Sequence, residues 1–148
     1  MATVKEVMEE KGNGTNYTIQ AEETVLKALQ IMADANIGAV IATEGGKVVG
    51  IFTERDYARK GELKGKSADK TLLKEVMTEK MMTVTPGTSV EQCMKLMNQY
   101  HIRHLPVLED KKMIGIVSIR DLVDILLGER EEEIKGLESF ILSTDFNT

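Results

Sequence analysis

Val25, Ala28, Leu29, Met32 and Ala35 recur with the spacing of one helical face, and Thr24 just before them is a residue type that caps a helix N-terminus. About three turns of helix are predicted there. The pattern then changes to β-branched runs, Ala39-Val40-Ile41-Ala42 and Val48-Val49-Gly50-Ile51-Phe52, parted by Gly45-Gly46, a dipeptide suited to the positive φ angles of a tight hairpin. These predict two antiparallel strands. A short extended piece at Tyr17 to Ile19 precedes the helix, and Thr53-Glu54-Arg55-Asp56 has the pattern of a helix start before Tyr57 to Glu62. The order is β-α-β-β-α.

The same pattern occurs twice. Thr18 to Asp56 lies over Thr83 to Asp121 without a gap, so that Val25, Met32, Ile37, Gly50, Ile51, Arg55 and Asp56 meet Val90, Met97, Ile102, Gly115, Ile116, Arg120 and Asp121. Ahead of each copy stands a similar head, Val4-Lys5-Glu6-Val7-Met8 and Leu73-Lys74-Glu75-Val76-Met77. The heads are offset by 69 residues and the rest by 65, so the first copy carries four extra residues around Lys11-Gly12-Asn13-Gly14, a polar loop insertion of the kind a surface accepts cheaply. One copy is near the size at which a single core is marginal, and two can cover each other's apolar faces. The expected architecture is α+β: two β-α-β-β-α repeats packed with pseudo-twofold symmetry, plus a C-terminal helix. Its parts are a first repeat over 1–60, a linker over 61–72 built on the polar stretch Lys60 to Thr71, a second repeat over 73–128, and a helix and tail over 129–148. In that last part the charged run Glu129 to Glu133 opens an amphipathic pattern in which Ile134, Leu137, Ile141 and Phe140 share a stripe.

Composition narrows the function classes. The 148 residues suit one ordinary domain, 42% of them are apolar, and no apolar run approaches the roughly 20 residues of a membrane-spanning helix. A net charge of −5 works against the phosphate neutralisation that drives nucleic-acid binding, which points away from DNA and RNA as partners, and without a spanning run no membrane is expected as a partner. The single cysteine, Cys93, can form no internal disulfide and falls on the apolar side of a helix where Ala28 sits in the first copy. Met32, Met94 and Met97 fall on core-like helical positions. The first ten residues hold no hydrophobic signal region, so the expected location is the cytoplasm, or an organelle interior if a transit peptide has been removed.

The motifs that carry a family likeness are Lys-Glu-Val-Met in both heads, His101-Ile102-Arg103-His104-Leu105-Pro106-Val107, and Gly115-Ile116-Val117-Ser118-Ile119-Arg120-Asp121. In this order, over nearly the whole chain, the duplication resembles a tandem cystathionine-β-synthase (CBS) domain pair. The resemblance implies a regulatory module, sensing energy or redox state, that binds AMP, ADP, ATP, NAD or S-adenosylmethionine in clefts between two sheets. It requires no metal and modulates a partner protein. Nothing in the chain is left over to be that effector, so the module reads as free-standing. Asn36-Ile37-Gly38-Ala39 and Thr53 to Lys60 are similar to segments of stand-alone pairs, bacterial and plant organellar redox-regulatory ones among them. Gly38-Ala39-Val40-Ile41 stands where the second copy has Arg103-His104-Leu105-Pro106, so the two clefts need not bind alike.

Asp56 and Asp121 each follow a hydroxyl residue by three positions, Thr53 or Ser118, where a strand hands over to a helix. A carboxylate can accept from both ribose hydroxyls, while the hydroxyl residue and free N–H groups of the helix start can donate to a phosphate. The same spacing is equally that of a helix capping box with no ligand. On the resemblance, Asp56 and Asp121 are ribose residues, and Thr53, Ser118, Arg103 and His104 are phosphate residues. Arg suits that role because its planar fork matches phosphate oxygens, although a surface ion pair would also account for Arg103. Ile37, Gly38 and Ala39 could sandwich an adenine, or could mark a close approach of the two sheets. Arg55, Arg59, Lys60 and Arg120 could line a shared polyphosphate channel or form a solvated helix face. His101 and His104, three apart on a strand, would point to opposite faces and hold no metal. No catalytic residue is expected. A rival reading, an enzyme built on Ser118, His104 and Asp121, lacks the glycines of a nucleophile elbow around Ser118, and a third is a homodimer with empty clefts. A homodimer is expected in any case, because the helix faces and the C-terminal stripe leave apolar surface to cover.

Overall fold

The structure, a computed structural model, describes residues 2–11 and 18–140, with side chains followed to residue 129. Helix α1 spans Val4–Lys11, strand β1 Thr18–Gln20, helix α2 Val25–Ala35, strands β2 and β3 Ala39–Glu44 and Lys47–Thr53, and the short helix α3 Glu54–Asp56. In the second copy, helix α4 spans Val90–Tyr100, strands β4 and β5 His104–Glu109 and Lys112–Ser118, and helix α5 Ile119–Phe140. Thr24 caps α2 by accepting from the Lys27 N–H, and Ser89 does the same for α4 from Gln92. Gly45 and Gly46 take φ of 58° and 80°, as the hairpin requires, whereas Asp110 and Lys111 adopt the same left-handed region at the equivalent turn. The order α+β with a tandem repeat holds.

The two sheets are unequal. β1 pairs in parallel with β2, which pairs antiparallel with β3, while the second sheet contains only β4 and β5. The first strand of the second copy shrinks to one parallel bridge, Val84 with Val107. Pro86 explains the loss: its first-copy counterpart, Ala21, donates its N–H to the Thr43 carbonyl at 2.8 Å, and proline has no N–H to donate. The helices after the aspartates differ too. The first copy leaves α3 through a π turn at Tyr57–Gly61 and a 3-10 turn at Glu62–Lys64, ending at Gly65 with φ 71°. Gly61 is the low-propensity residue there, and Leu126 stands at its place in the second copy. α5 accordingly continues without a break, so the helix expected from Glu129 is an extension of α5. Of its expected stripe, the side chains of Ile134, Leu137 and Phe140, and Ile141 altogether, lie outside the described residues. So does the inserted loop beyond Lys11.

Each head packs on the other copy. Val4 and Val7 are buried with Val90, Cys93, Met97, Leu105 and Leu122 of the second copy. Leu73, Val76 and Met77 are buried with Val25, Met32 and Phe52 of the first. Main-chain bonds repeat the exchange: Val4 N–H to Thr88 O at 2.8 Å, and Leu73 N–H to Glu23 O at 2.8 Å. Full burial of a valine or leucine contributes roughly 1.5–3 kcal/mol, so two or three such residues per head hold the halves together. The polar linker is anchored as well, since Thr71 is buried and its carbonyl accepts from Val25. A third cluster, Ala39, Ile41 and Ile51 against Met81, Met113 and Ile116, joins the two sheets. Among the described residues no helix is long and apolar enough to cross a membrane.

Candidate functional site

α2 and α4 both end on a residue in the left-handed conformation, Asn36 and His101, each with φ 54°. That reversal turns the chain directly into β2 or β4, and it brings Ile37-Gly38-Ala39 and Ile102-Arg103-His104 to equivalent places in the two copies. The two segments meet. A Cβ added to Gly38 would lie 3.3 Å from the His104 imidazole and 3.3 Å from a Glu54 carboxylate oxygen. His101 therefore serves as a helix terminus and not as a strand residue. Among the described residues no cluster of His, Cys, Asp and Glu is placed to hold a metal ion.

Beside this junction lies a cleft of about 860 Å³ between the copies, of the size that small-molecule sites occupy. The first copy contributes Ile37, Gly38, Ala39 and Glu54; the second contributes Arg103, His104, Ser118, Arg120 and Asp121; α1 adds Met8 and Lys11. Seven of the nucleotide residues expected from sequence thus converge: Asp121, Ser118, Arg103, His104, Ile37, Gly38 and Ala39. Asp121 and Ser118 form a reciprocal capping box, in which the Ser118 N–H donates to Asp121 Oδ2 at 2.8 Å and the Asp121 N–H to Ser118 Oγ at 3.2 Å. Lys11 Nζ reaches across to the same Oδ2 at 3.0 Å and to the Ile116 carbonyl at 3.0 Å. No described residue donates to Oδ1. Burial pushes the His104 imidazole below its ordinary pKa, against the pull of the Asp121 charge and with help from Lys11 and Arg103, which keeps it neutral at pH 7.

Asp56 sits in the same box with a different fate. It is 8% exposed. Its Oδ2 accepts from the Thr53 N–H at 3.0 Å and the Thr53 hydroxyl at 3.2 Å, and its Oδ1 accepts from the Thr78 hydroxyl at 2.9 Å, with Lys60 Nζ at 3.3 Å. The segment after the second head closes over it. Thr78 pairs with Ile51 through two main-chain bonds of 2.8 and 2.9 Å, and a Cβ on Gly50 would come within 2.9 Å of Met77 Sδ and of the Thr78 carbonyl. Neither Asp56 nor Thr53 lines the large cleft. The expected basic channel divides likewise: Arg120 lines the cleft, Lys60 is tied to Asp56 and Thr78, Arg59 is an exposed residue of the π turn, and Arg55 donates to the His101 carbonyl.

The sequence pattern singles out neither Lys11 and Glu54, which line the cleft, nor Thr78, which fills an acceptor of Asp56. Thr78 and Lys11 follow the two heads, and only the exchange of heads between copies carries them to the opposite aspartates. No local pattern signals that. Glu54 stands inside the Thr53–Asp56 motif, whose local pattern signals only a helix start. Cys93 is buried, which pushes its thiol up, and Met32 and Met97 are buried beside helical neighbours, as core residues.

A second groove of about 870 Å³ runs between α4 and α5, lined by Val90, Met94, Met97, Ile119 and Leu126, with Arg103 shared between the two clefts.

A CBS-domain family model matches residues 4–62 and 73–128. The chain is 40% identical over 147 residues to the CBS domain-containing protein CBSX3, mitochondrial, of Arabidopsis thaliana, covering 94% of this chain and 71% of that one. The crystal structure of the CBS domain NE2398 is 43% identical with a TM-score of 0.80, over 84% of this chain and 97% of that one. A further neighbour, the CBS domain pair of protein MJ0100, was solved in complex with 5′-methylthioadenosine and S-adenosyl-L-methionine; it is 25% identical with a TM-score of 0.74, over 87% of this chain and 98% of that one. The chain belongs to the CBS-domain family and carries the domain twice.

Proposed function

We propose that this tandem CBS protein is a regulatory module that binds one adenosine-containing ligand in the cleft around Asp121, and that it is not an enzyme. The observation that carries the reading is the convergence of seven residues from both copies on one cleft, in which Asp121 Oδ1 accepts from no described residue. Asp121 Oδ1 is the ribose acceptor; Arg103 and Arg120, with His104, meet phosphates; Ile37, Gly38 and Ala39 flank the base. The adenosine ligands of the MJ0100 pair support the ligand class. Within that class AMP, ADP, ATP, NAD and S-adenosylmethionine share the ribose contact, and no metal is needed for it. Because residues of both copies line the cleft, a ligand bridges them and can bias how they sit together, which is what a regulator of an effector protein needs.

The protein works as a homodimer in the cytoplasm or an organelle interior. Val123, Leu126 and Leu127 are exposed on α5 beside the apolar groove with α4, and a second copy is the natural cover for such a face. Light scattering at micromolar concentration should give twice 16.5 kDa; the monomer mass would end that part of the proposal. For the ligand, thermal melts with each of the five compounds are the test. A ligand at a hundred times its Kd stabilises the fold by about 2.7 kcal/mol. An unchanged Tm with all five at millimolar concentration would sink the reading, and turnover of any of them would favour an enzyme instead.

A further inference from the structure

We infer that Lys11 makes the Asp121 cleft selective for adenosine ligands that carry a 5′-phosphate; the inference rests on the nucleotide reading of that cleft. A carboxylate oxygen has two lone-pair positions. On Asp121 Oδ2 both are taken, by the Ser118 N–H at 2.8 Å and by Lys11 Nζ at 3.0 Å, while Oδ1 accepts from no described residue. A ribose diol that grips both carboxylate oxygens therefore finds one place open and one occupied. The Ser118 amide cannot yield without undoing the start of α5, so Lys11 is the group displaced.

The displaced ammonium loses two partners together, Asp121 Oδ2 and the Ile116 carbonyl at 3.0 Å. It remains on α1, at the rim of a cleft that Arg103 and Arg120 already line, and so needs a new acceptor. A 5′-phosphate brings anionic oxygens into the same cleft and can take up the flexible three-donor Lys11 head. Adenosine, with the same base and ribose, brings no anion, so the freed ammonium is left to water and gains no new partner in the cleft. Lys11 thus acts against every ribose that enters and rewards only those with a phosphate.

The test is calorimetric titration of AMP and adenosine into the wild-type chain, Lys11→Met and Lys11→Arg, with a denaturant melt of each. The Lys11 side chain is 39% exposed, and the melts read what the loss of its bonds to Asp121 and the Ile116 carbonyl does to the fold. The wild-type chain should prefer AMP; Lys11→Met should lose about tenfold in AMP affinity and bind adenosine at least as well as before; Lys11→Arg should keep the preference. If Lys11→Met shifts both affinities by the same factor, or neither, the Lys11 inference falls and the nucleotide reading stands. Were Lys11→Met to fail to fold, Lys11→Gln is titrated in its place, and it must lose AMP affinity while keeping adenosine affinity for the inference to stand. A wild-type chain that binds neither compound at millimolar concentration overturns both.

Discussion

Asp56 and Asp121 begin from the same local chemistry and end in opposite surroundings. Each closes a capping box with the hydroxyl residue three positions earlier, and each follows the last strand of its copy. Around Asp56, Thr78, Lys60 and Thr53 satisfy both oxygens, and Met77 lies against Gly50. Around Asp121 one long cation from the other head reaches a single oxygen, and the rest of the space is cleft. The chain has thus pinned one of its two equivalent corners with side chains and left the other lining a cleft. A capping box and a ribose acceptor are not alternatives for one aspartate, because the box engages one oxygen and leaves the second to its surroundings.

The comparison is broken most directly by stability. Asp56→Ala orphans the Thr53 N–H and the Thr78 hydroxyl together and should cost about 2–3 kcal/mol, whereas Asp121→Ala loses mainly a cap and should cost about 1 kcal/mol. The Lys60 ion pair adds little to the difference because that side chain is 45% exposed. Urea melts of the two variants read the contrast, and equal losses would remove it.

Ligand affinity should run the other way. Asp121→Asn keeps the size but gives up a charged acceptor, worth about 1.5–3 kcal/mol, so AMP affinity should fall ten- to a hundredfold. Asp56→Asn should leave it within about twofold, with one ligand bound per chain in the wild-type titration. Two equivalent sites, or a loss of affinity at Asp56, would show that the first corner opens.

The smallest effect concerns His104, which has Ala39 as its first-copy counterpart and so belongs to the open corner alone. The groups facing it are Asp121, Lys11, Arg103 and Glu54, and burial holds its folded pKa below the ordinary 6.5. Between those two values the unfolded chain binds more protons than the folded one, so stability rises with pH. The contribution is present above about pH 6.5 and is lost as pH falls through the folded value. His104→Asn should flatten the melting curve against pH below 6.5; an unchanged acid limb would mean that His104 is not the group responsible.

What the sequence alone determined depends on near neighbours in the chain. Helical spacing placed α2 and α4, the Thr24 cap fixed where α2 begins, Gly45-Gly46 fixed the hairpin, and a constant offset showed that the fold is built twice. The seven converging residues were legible because they belong to motifs only a few positions long. Tertiary structure decided which motif faces a cleft. Val4–Met8 and Leu73–Met77 read almost alike, and nothing local says that each packs on the other copy and so carries Lys11 to Asp121 and Thr78 to Asp56. Burying apolar head residues sets that exchange, and burial is a property of surfaces distant in sequence. A carboxylate's remaining acceptor is free or filled according to what the exchange delivers, and that is decided only when the two halves close on each other.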